Sequence, residues 1–413
     1  MPTDSSKASR GFSSRSQTWR LHSYEDAIER HLASEVDRAG SRAVFLITSR
    51  SIAEKTQTLI RAQRNLGTRF VGAYAGIEND STFRSVDSAT AAARAAGADL
   101  LVAIGGGSVI VATRAVNIFL SESADPFDLM TQYPEDGPAF SPRLDAPKLP
   151  IINIVTTPTS AMNRAGTGLK NEDLDHRMEY FDPKTRPVAL LWDWQALRET
   201  PVGVIRSTAT TTFSGSLGGL LQKAPNPLVE ADRAHAFTLA SRALSALPSA
   251  GEDVTPRVDL CASALLANRA EDDGLGGPLV AEGERFLGDY AVSTALHVRY
   301  PHVGQGESTS VLSATSVRRA AGAQPEVVER AAVALGVWQS GLDAHSARDA
   351  VAEKLERTYR SIGMPTRVGE LGIPREDLPL LAAMTVKNFN ANRGTRSVEE
   401  QQRRAFELLE AAW

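Results

Sequence analysis

Short runs of aliphatic and β-branched residues recur through the first half of the chain. They lie at 42–48 (RAVFLIT), 69–75 (RFVGAYA), 99–104 (DLLVAI), 149–155 (LPIINIV) and 187–193 (PVALLWD). Most are nearly continuous in apolar residues, as expected of strands covered on both faces. Segments with helical spacing separate them, at 52–66, at the alanine-rich 82–96 and at 108–120. Strands alternating with helices of this length predict βαβ units and a mostly parallel sheet. Residues 126–150 hold six prolines and one glycine and read as a loop. Beyond about residue 197 the strand signals stop. Apolar spacing then predicts helices at 230–246, 256–268, 324–342, 347–362, 378–388 and 398–413. Residues 202–222, dominated by Ser, Thr and Gly, carry no helix signal strong enough to assign. The pattern divides the chain into a tail (1–20), an α/β domain (21–198) and a helical domain (199–413).

Composition narrows the class. With 413 residues, 42% hydrophobic and 23% charged, the chain has the balance of a soluble globular protein and length enough for two domains. A net charge of −4 removes a general basic footprint for nucleic acid. No run of about 18 apolar residues is present to span a membrane. The single cysteine, Cys261, permits no intrachain disulfide and fits a reducing, cytoplasmic setting. The first 19 residues hold six serines and Lys7, Arg10 and Arg15 against one acid, Asp4. They read as a flexible or partner-ordered tail, and no apolar stretch of a secretory signal follows.

The first candidate for chemistry lies at 99–116, DLLVAIGGGSVIVATRAV. A strand runs into Gly105, Gly106, Gly107 and Ser108, and a helix follows. Backbone N–H groups and a helix N-terminus then converge on one spot, which suits a pyrophosphate. The glycines are expected to supply positive φ angles and close backbone approach. The turn is neither a GxGxxG fingerprint nor a Walker loop.

At this motif the sequence resembles the iron-containing alcohol dehydrogenase family, of dehydroquinate-synthase-like fold, and within it the maleylacetate-reductase branch. The resemblance runs from about residue 22 to the C-terminus. It rests on 97–115 (GADLLVAIGGGSVIVATRA), 156–167 (TTPTSAMNRAGT), 176–193 (HRMEYFDPKTRPVALLWD), 304–312 (GQGESTSVL) and 363–382 (GMPTRVGELGIPREDLPLLA). It implies a dinucleotide-binding α/β domain, a C-terminal helical domain, an active site in the cleft between them, and a homo-oligomer such as a dimer. It also implies a small-molecule substrate.

The family pattern is broken where it would hold a divalent metal. Its Asp and His on the first helix of the second domain fall near Thr212 and Ser216, and its two later histidines fall near Ala291 and on Gln305. Thr, Ser, Ala and Gln offer neither an anionic ligand nor an imidazole, so no metal is expected. The acid after the GGGS motif is replaced by Val111, and the basic residue after it is Arg114.

For the cofactor, the resemblance implies contacts from Thr48, Arg50, Gly105, Gly106, Gly107, Ser108, Thr156, Thr157, Thr159, Ser160 and Arg177. Where NAD-preferring members carry an acid at the end of the first strand, this chain reads Thr48-Ser49-Arg50. An arginine there suits a 2′-phosphate, so NADP(H) is favoured and NAD(H) is the alternative. A reductase without a metal must stabilise the developing alkoxide with hydrogen-bond donors. His297, Tyr300, His302 and Gln305 are the catalytic candidates, with Arg177 as a further donor. The expected activity is a metal-independent NAD(P)H-dependent reduction of a small carbonyl or enone compound. The alternatives are a non-redox lyase or cyclase on the same scaffold and a non-catalytic dinucleotide-binding homologue.

Overall fold

A computed structural model of the chain describes residues 14, 19–134, 137–222, 224, 226–274, 286–388 and 397–413. Most of the tail therefore lies outside the described residues. Eight strands form within 20–193: β1 (Arg20–Tyr24), β2 (Val44–Thr48), β3 (Phe70–Tyr74), β4 (Leu100–Gly105), β5 (Ile151–Val155), β6 (Gly166–Leu169), β7 (Met178–Phe181) and β8 (Ala189–Asp193). Six make one parallel sheet in the order β1-β8-β5-β4-β2-β3, and β6 and β7 form an antiparallel pair. The helices of this half are α1 (Ala33–Ala39), α2 (Arg50–Lys55), α3 (Thr58–Leu66), α4 (Phe83–Ala95), α5 (Gly107–Ser121), α6 (Pro126–Leu129) and α7 (Trp194–Glu199).

Both faces of the sheet are covered, which explains the nearly continuous apolar runs. Leu46, Val102, Ile104 and Ile154 pack under a π-helix (Ile28–Leu32) and α3. The alternate residues Phe45, Ile47, Leu101 and Ala103 pack under α4 and α5. Because β3 and β4 lie on opposite sides of β2, the winding reverses between β2 and β4. In open α/β sheets that reversal opens a crevice at the carboxyl ends of the strands, where ligands bind.

The second half holds α8 (Val202–Leu220), α9 (Pro227–Ala246), α10 (Thr255–Gly274), α11 (Tyr290–Arg299), α12 (Gln305–Arg319), α13 (Pro325–Ala334), α14 (Ala344–Ser361), α15 (Leu378–Met384) and α16 (Val398–Ala412), with no strand among the described residues. One core gathers around α8, α9 and α14, and a second around α11, α12, α15 and α16. Helix α10 joins the halves: Cys261, Ala264 and Leu265 belong to the sheet's own core.

Several expectations are corrected. The helix at 52–66 is two helices, broken where Thr56 is extended. The helix at 324–342 ends at Ala334, and the one at 378–388 at Met384. Residues 202–222 contain a long helix after all. The loop expected at 126–150 opens with the short helix α6, and strands β1, β6 and β7 and helices α1, α7, α11 and α12 lie outside the expected elements.

Candidate active site at the interdomain cleft

The three-glycine turn sits at the carboxyl end of β4, beside the winding reversal, with Gly106 as the N-cap of α5. Gly106 has φ −89°, and none of Gly105, Gly106 and Gly107 has positive φ. The expected left-handed requirement is therefore absent; close approach is what demands glycine. A Cβ on Gly106 would lie 2.6 Å from Thr157 Oγ1, and one on Gly107 3.2 Å from Thr159 Oγ1. The first turn of α5 has no side-chain cap, so its N–H groups are left for a ligand. Thr157 Oγ1 is buried with no hydrogen-bond partner among the described residues, an arrangement that costs about 1–3 kcal/mol unless something binds there.

The other cofactor candidates are spread around this turn. Thr48 is fully buried and donates to Ile104 O at 2.7 Å, so its hydroxyl ties β2 to β4. Arg50 opens α2 with its side chain 82% exposed, 4.0 Å from Glu54. Thr156 N–H donates to Gly105 O, holding the loop after β5 against the turn. Thr159 Oγ1 accepts from Ala161 N–H. Ser160 is exposed, and its carbonyl accepts from Asn268 Nδ2 at 2.8 Å. The loop is braced by Arg114, a buried guanidinium that donates to Ala161 O and Gly166 O and has no ion-pair partner among the described residues. Burial pulls Arg114 down to about 9, still cationic at neutral pH.

Ser108 and Arg177 meet through a residue the sequence reading missed. Asp80 accepts from Arg177 Nη2 at 2.9 Å, and its N–H donates to Ser108 Oγ at 3.2 Å. The turn-forming composition of Asn79-Asp80-Ser81 is the only sequence signal there.

The catalytic candidates do not converge. His297, on α11, is buried; its Nδ1 bonds Ser293 O at 2.8 Å, which puts the proton on Nδ1 and leaves Nε2 an acceptor. Burial first, then Arg177, pulls it down to about 4, partly offset by Asp80, so it is neutral at neutral pH. Tyr300 donates to Asp377 within the helical half, and burial and that bond push it up to about 12. His302 is exposed and bonds Leu371 O at 3.0 Å. Gln305 is exposed at the start of α12. Only His297 feels the charges of Arg177, Asp80 and Lys170 across the cleft.

A narrow cavity of ≈ 10 Å³ lies there, lined by His176, Arg177, Ala291, Thr294, Ala295 and Lys387 among others. Two of its lining side chains, Arg177 and Thr294, bring buried polar atoms, Nε and Oγ1, that have no hydrogen-bond partner among the described residues. The volume is about what one oxygen atom needs.

At the positions matching the family's metal ligands, Thr212 Oγ1 donates to Thr208 O and Ser216 Oγ to Phe213 O, both on their own helix. Among the described residues no group of three His, Cys, Asp or Glu side chains is placed to hold a metal ion. This donor set does not fit a divalent ion. Among the described residues, no helix is long and apolar enough to cross a membrane.

Comparison with known proteins places the whole assembly. The NAD-dependent methanol dehydrogenase of Bacillus methanolicus is 24% identical over 294 residues, covering 69% of this chain and 70% of that one. The maleylacetate reductase of Sphingobium indicum is 24% identical over 366 residues, covering 87% and 86%. The solved NADH-dependent butanol dehydrogenase A of Thermotoga maritima superposes with a TM-score of 0.81 at 16% identity, covering 97% and 100%. The iron-containing alcohol dehydrogenase domain matches residues 21–194 and the family's C-terminal domain matches residues 218–413. The chain belongs to the iron-containing alcohol dehydrogenase family of oxidoreductases.

Proposed function

We propose that the chain is an NAD(P)H-dependent reductase of a small carbonyl or enone substrate, similar in kind to maleylacetate reductase, and that it works without a bound metal. The observation that carries the cofactor half is the uncapped glycine turn at 105–107, with the orphan Thr157 hydroxyl beside it. That turn offers N–H groups and a helix N-terminus to the diphosphate. Arg50 favours NADP(H) by offering a cation near the adenosine ribose.

A reduced nicotinamide held by this turn would supply the hydride, and the substrate's carbonyl oxygen would then gain negative charge. Arg177 Nε–H and the Thr294 hydroxyl, both without partners, donate to that oxygen. One well-placed donor in such a site contributes about 3 kcal/mol. His297 is neutral and presents an acceptor at Nε2, so it is not the imidazolium donor; the proton that completes the alcohol comes from water. Tyr300, His302 and Gln305 are assigned no contact with the reacting atoms.

The test follows NADPH and NADH absorbance with a panel of aldehydes, ketones and enones, in the presence of a chelator. Stoichiometric loss of reduced cofactor with product formation is expected. Binding of dinucleotide without oxidation by any member of the panel would favour a non-redox enzyme on this scaffold. No binding of either dinucleotide would leave a non-catalytic homologue without this cofactor.

A further inference from the structure

Among the described residues, only two other than glycine have positive φ, and they are adjacent: Asp80 (61°) and Ser81 (54°). Left-handed backbone is unfavourable for residues with a Cβ, and where it persists the surroundings hold it. Here they do. Asp80 N–H donates to Ser108 Oγ at 3.2 Å, and Ser81 Oγ donates to Ser108 O at 2.7 Å, so the loop is tied to the first turn of α5. Ser81 O accepts from Lys170 N–H and Lys170 O accepts from Phe83 N–H, which ties it to the end of β6. The carboxylate then meets Arg177 Nη2 at 2.9 Å. Glycine would fill such a turn with less strain, and aspartate, like asparagine, is among the few other residues that tolerate it. An acid aimed at a half-buried guanidinium is a side chain put to use.

We propose that Asp80 is a positioning residue: it pins the Arg177 guanidinium at a fixed height above the glycine turn, so that the nicotinamide end of a bound dinucleotide meets Arg177 in one orientation. This role presupposes the dinucleotide reading above. The pin takes one edge of the guanidinium only. Arg177 Nε stays unpartnered and Arg177 lines the cavity shared with Thr294. Asp80 thereby links three parts that are far apart in sequence: the phosphate turn, the basic residue before β7 and the cleft.

The test is a double-mutant cycle on ligand affinity, read by fluorescence titration of NADPH and by calorimetric titration of ADP, which lacks the nicotinamide half. Asp80→Gly keeps the left-handed backbone and removes the carboxylate. It is expected to weaken NADPH about tenfold and leave ADP unchanged. Arg177→Ala is expected to lose a similar factor, and the double variant no more than Arg177→Ala alone, because both changes remove one interaction. Asp80→Asn keeps an acceptor and is expected to recover most of the loss; Asp80→Ala, which removes the carboxylate, carries the same cycle should the glycine variant not fold. Multiplying losses in the double variant would overturn the positioning role. So would an equal loss for ADP, which would mean that the loop acts on the phosphate turn through Ser108. A wild-type chain that binds neither NADPH nor NADH overturns the dinucleotide reading, and this role with it.

Discussion

A single methyl group on Gly106 tests the phosphate turn at its tightest point. The added Cβ would lie 2.6 Å from Thr157 Oγ1 and 3.2 Å from Thr157 Cγ2. Rotating Thr157 about χ1 can turn its hydrogen to the tightest position but leaves a γ atom near 3.2 Å and Cβ at 3.5 Å, so full relief requires the turn and the loop after β5 to part by up to roughly 1 Å, a form of overpacking that costs about 1–3 kcal/mol. That displacement takes the turn's N–H groups from about 2.9 Å to beyond hydrogen-bond range of a diphosphate oxygen. Two lost charge-assisted bonds at about 1.5 kcal/mol each amount to about 3 kcal/mol, or roughly a hundredfold in Kd. Gly106→Ala is therefore expected to weaken NADPH about a hundredfold in a fluorescence titration, while the far-ultraviolet circular dichroism stays that of the wild type. Adding Thr157→Ser, whose single γ atom can turn away, is expected to recover about tenfold of the affinity by the same contact argument. Gly107→Ala meets only Thr159 Oγ1, at 3.2 Å, and is expected to lose under about tenfold. A folded Gly106→Ala protein with wild-type affinity would refute the assignment of the turn. A Thr157→Ser addition that rescues nothing would refute the steric mechanism.

The metal-free reading predicts that purified protein carries well under one Fe or Zn per chain and that a chelator leaves NADPH oxidation unchanged; about one tightly held ion per chain would overturn it. Arg50→Glu is expected to weaken NADPH roughly fivefold more than NADH at low salt, with the difference shrinking as salt rises, because the Arg50 side chain is 82% exposed. For His297 the folded value of about 4 lies below the ordinary 6.5. Between the two the unfolded chain binds more protons, so stability falls as pH drops from 6.5 towards 4 and is unaffected by this group above 6.5. Urea midpoints measured across that window should fall less in His297→Asn, whose amide can replace the Nδ1 bond to Ser293 O; equal slopes in the two proteins would remove the assignment.

What the sequence made legible follows from how each element is stabilised. β2, β4, β5 and β8 are buried at every residue, so each reads as a nearly continuous apolar run. β1 (RLHSY) is an edge strand with one aliphatic residue, formed by pairing with β8 rather than by its own pattern. α8 was hidden by composition. Its buried residues Ile205, Ala209, Phe213 and Leu217 recur every four positions, but Ser, Thr and Gly between them dilute the signal. The hydroxyls that weaken helix propensity are absorbed here: Thr208, Thr210, Thr212 and Ser216 donate to carbonyls three or four residues back. α12 uses the same device through Ser308, Thr309 and Ser313. These two helices also come so close that a Cβ on Gly306 would clash with the Ser207 backbone, a contact no local pattern announces. Asp80 was missed for a related reason, since its partners Ser108 and Arg177 are 28 and 97 residues away.

The exchanged ligand positions and the charges in the cleft argue in one direction. A divalent ion needs carboxylates or neutral imidazoles converging on it. Here the candidate ligand helix presents hydroxyls already spent on its own backbone, and α11 presents Ala291 and Ala295 to the cavity. The charged groups that reach His297 are Arg177, Lys170 and Asp80, two cations and one anion. Asp80 is bound to Arg177 Nη2, which leaves Arg177 Nε free of partners in a site too small for more than about one oxygen atom. On the reductase reading proposed above, the Arg177 Nε–H and the Thr294 hydroxyl would meet an oxygen that gains negative charge during reduction.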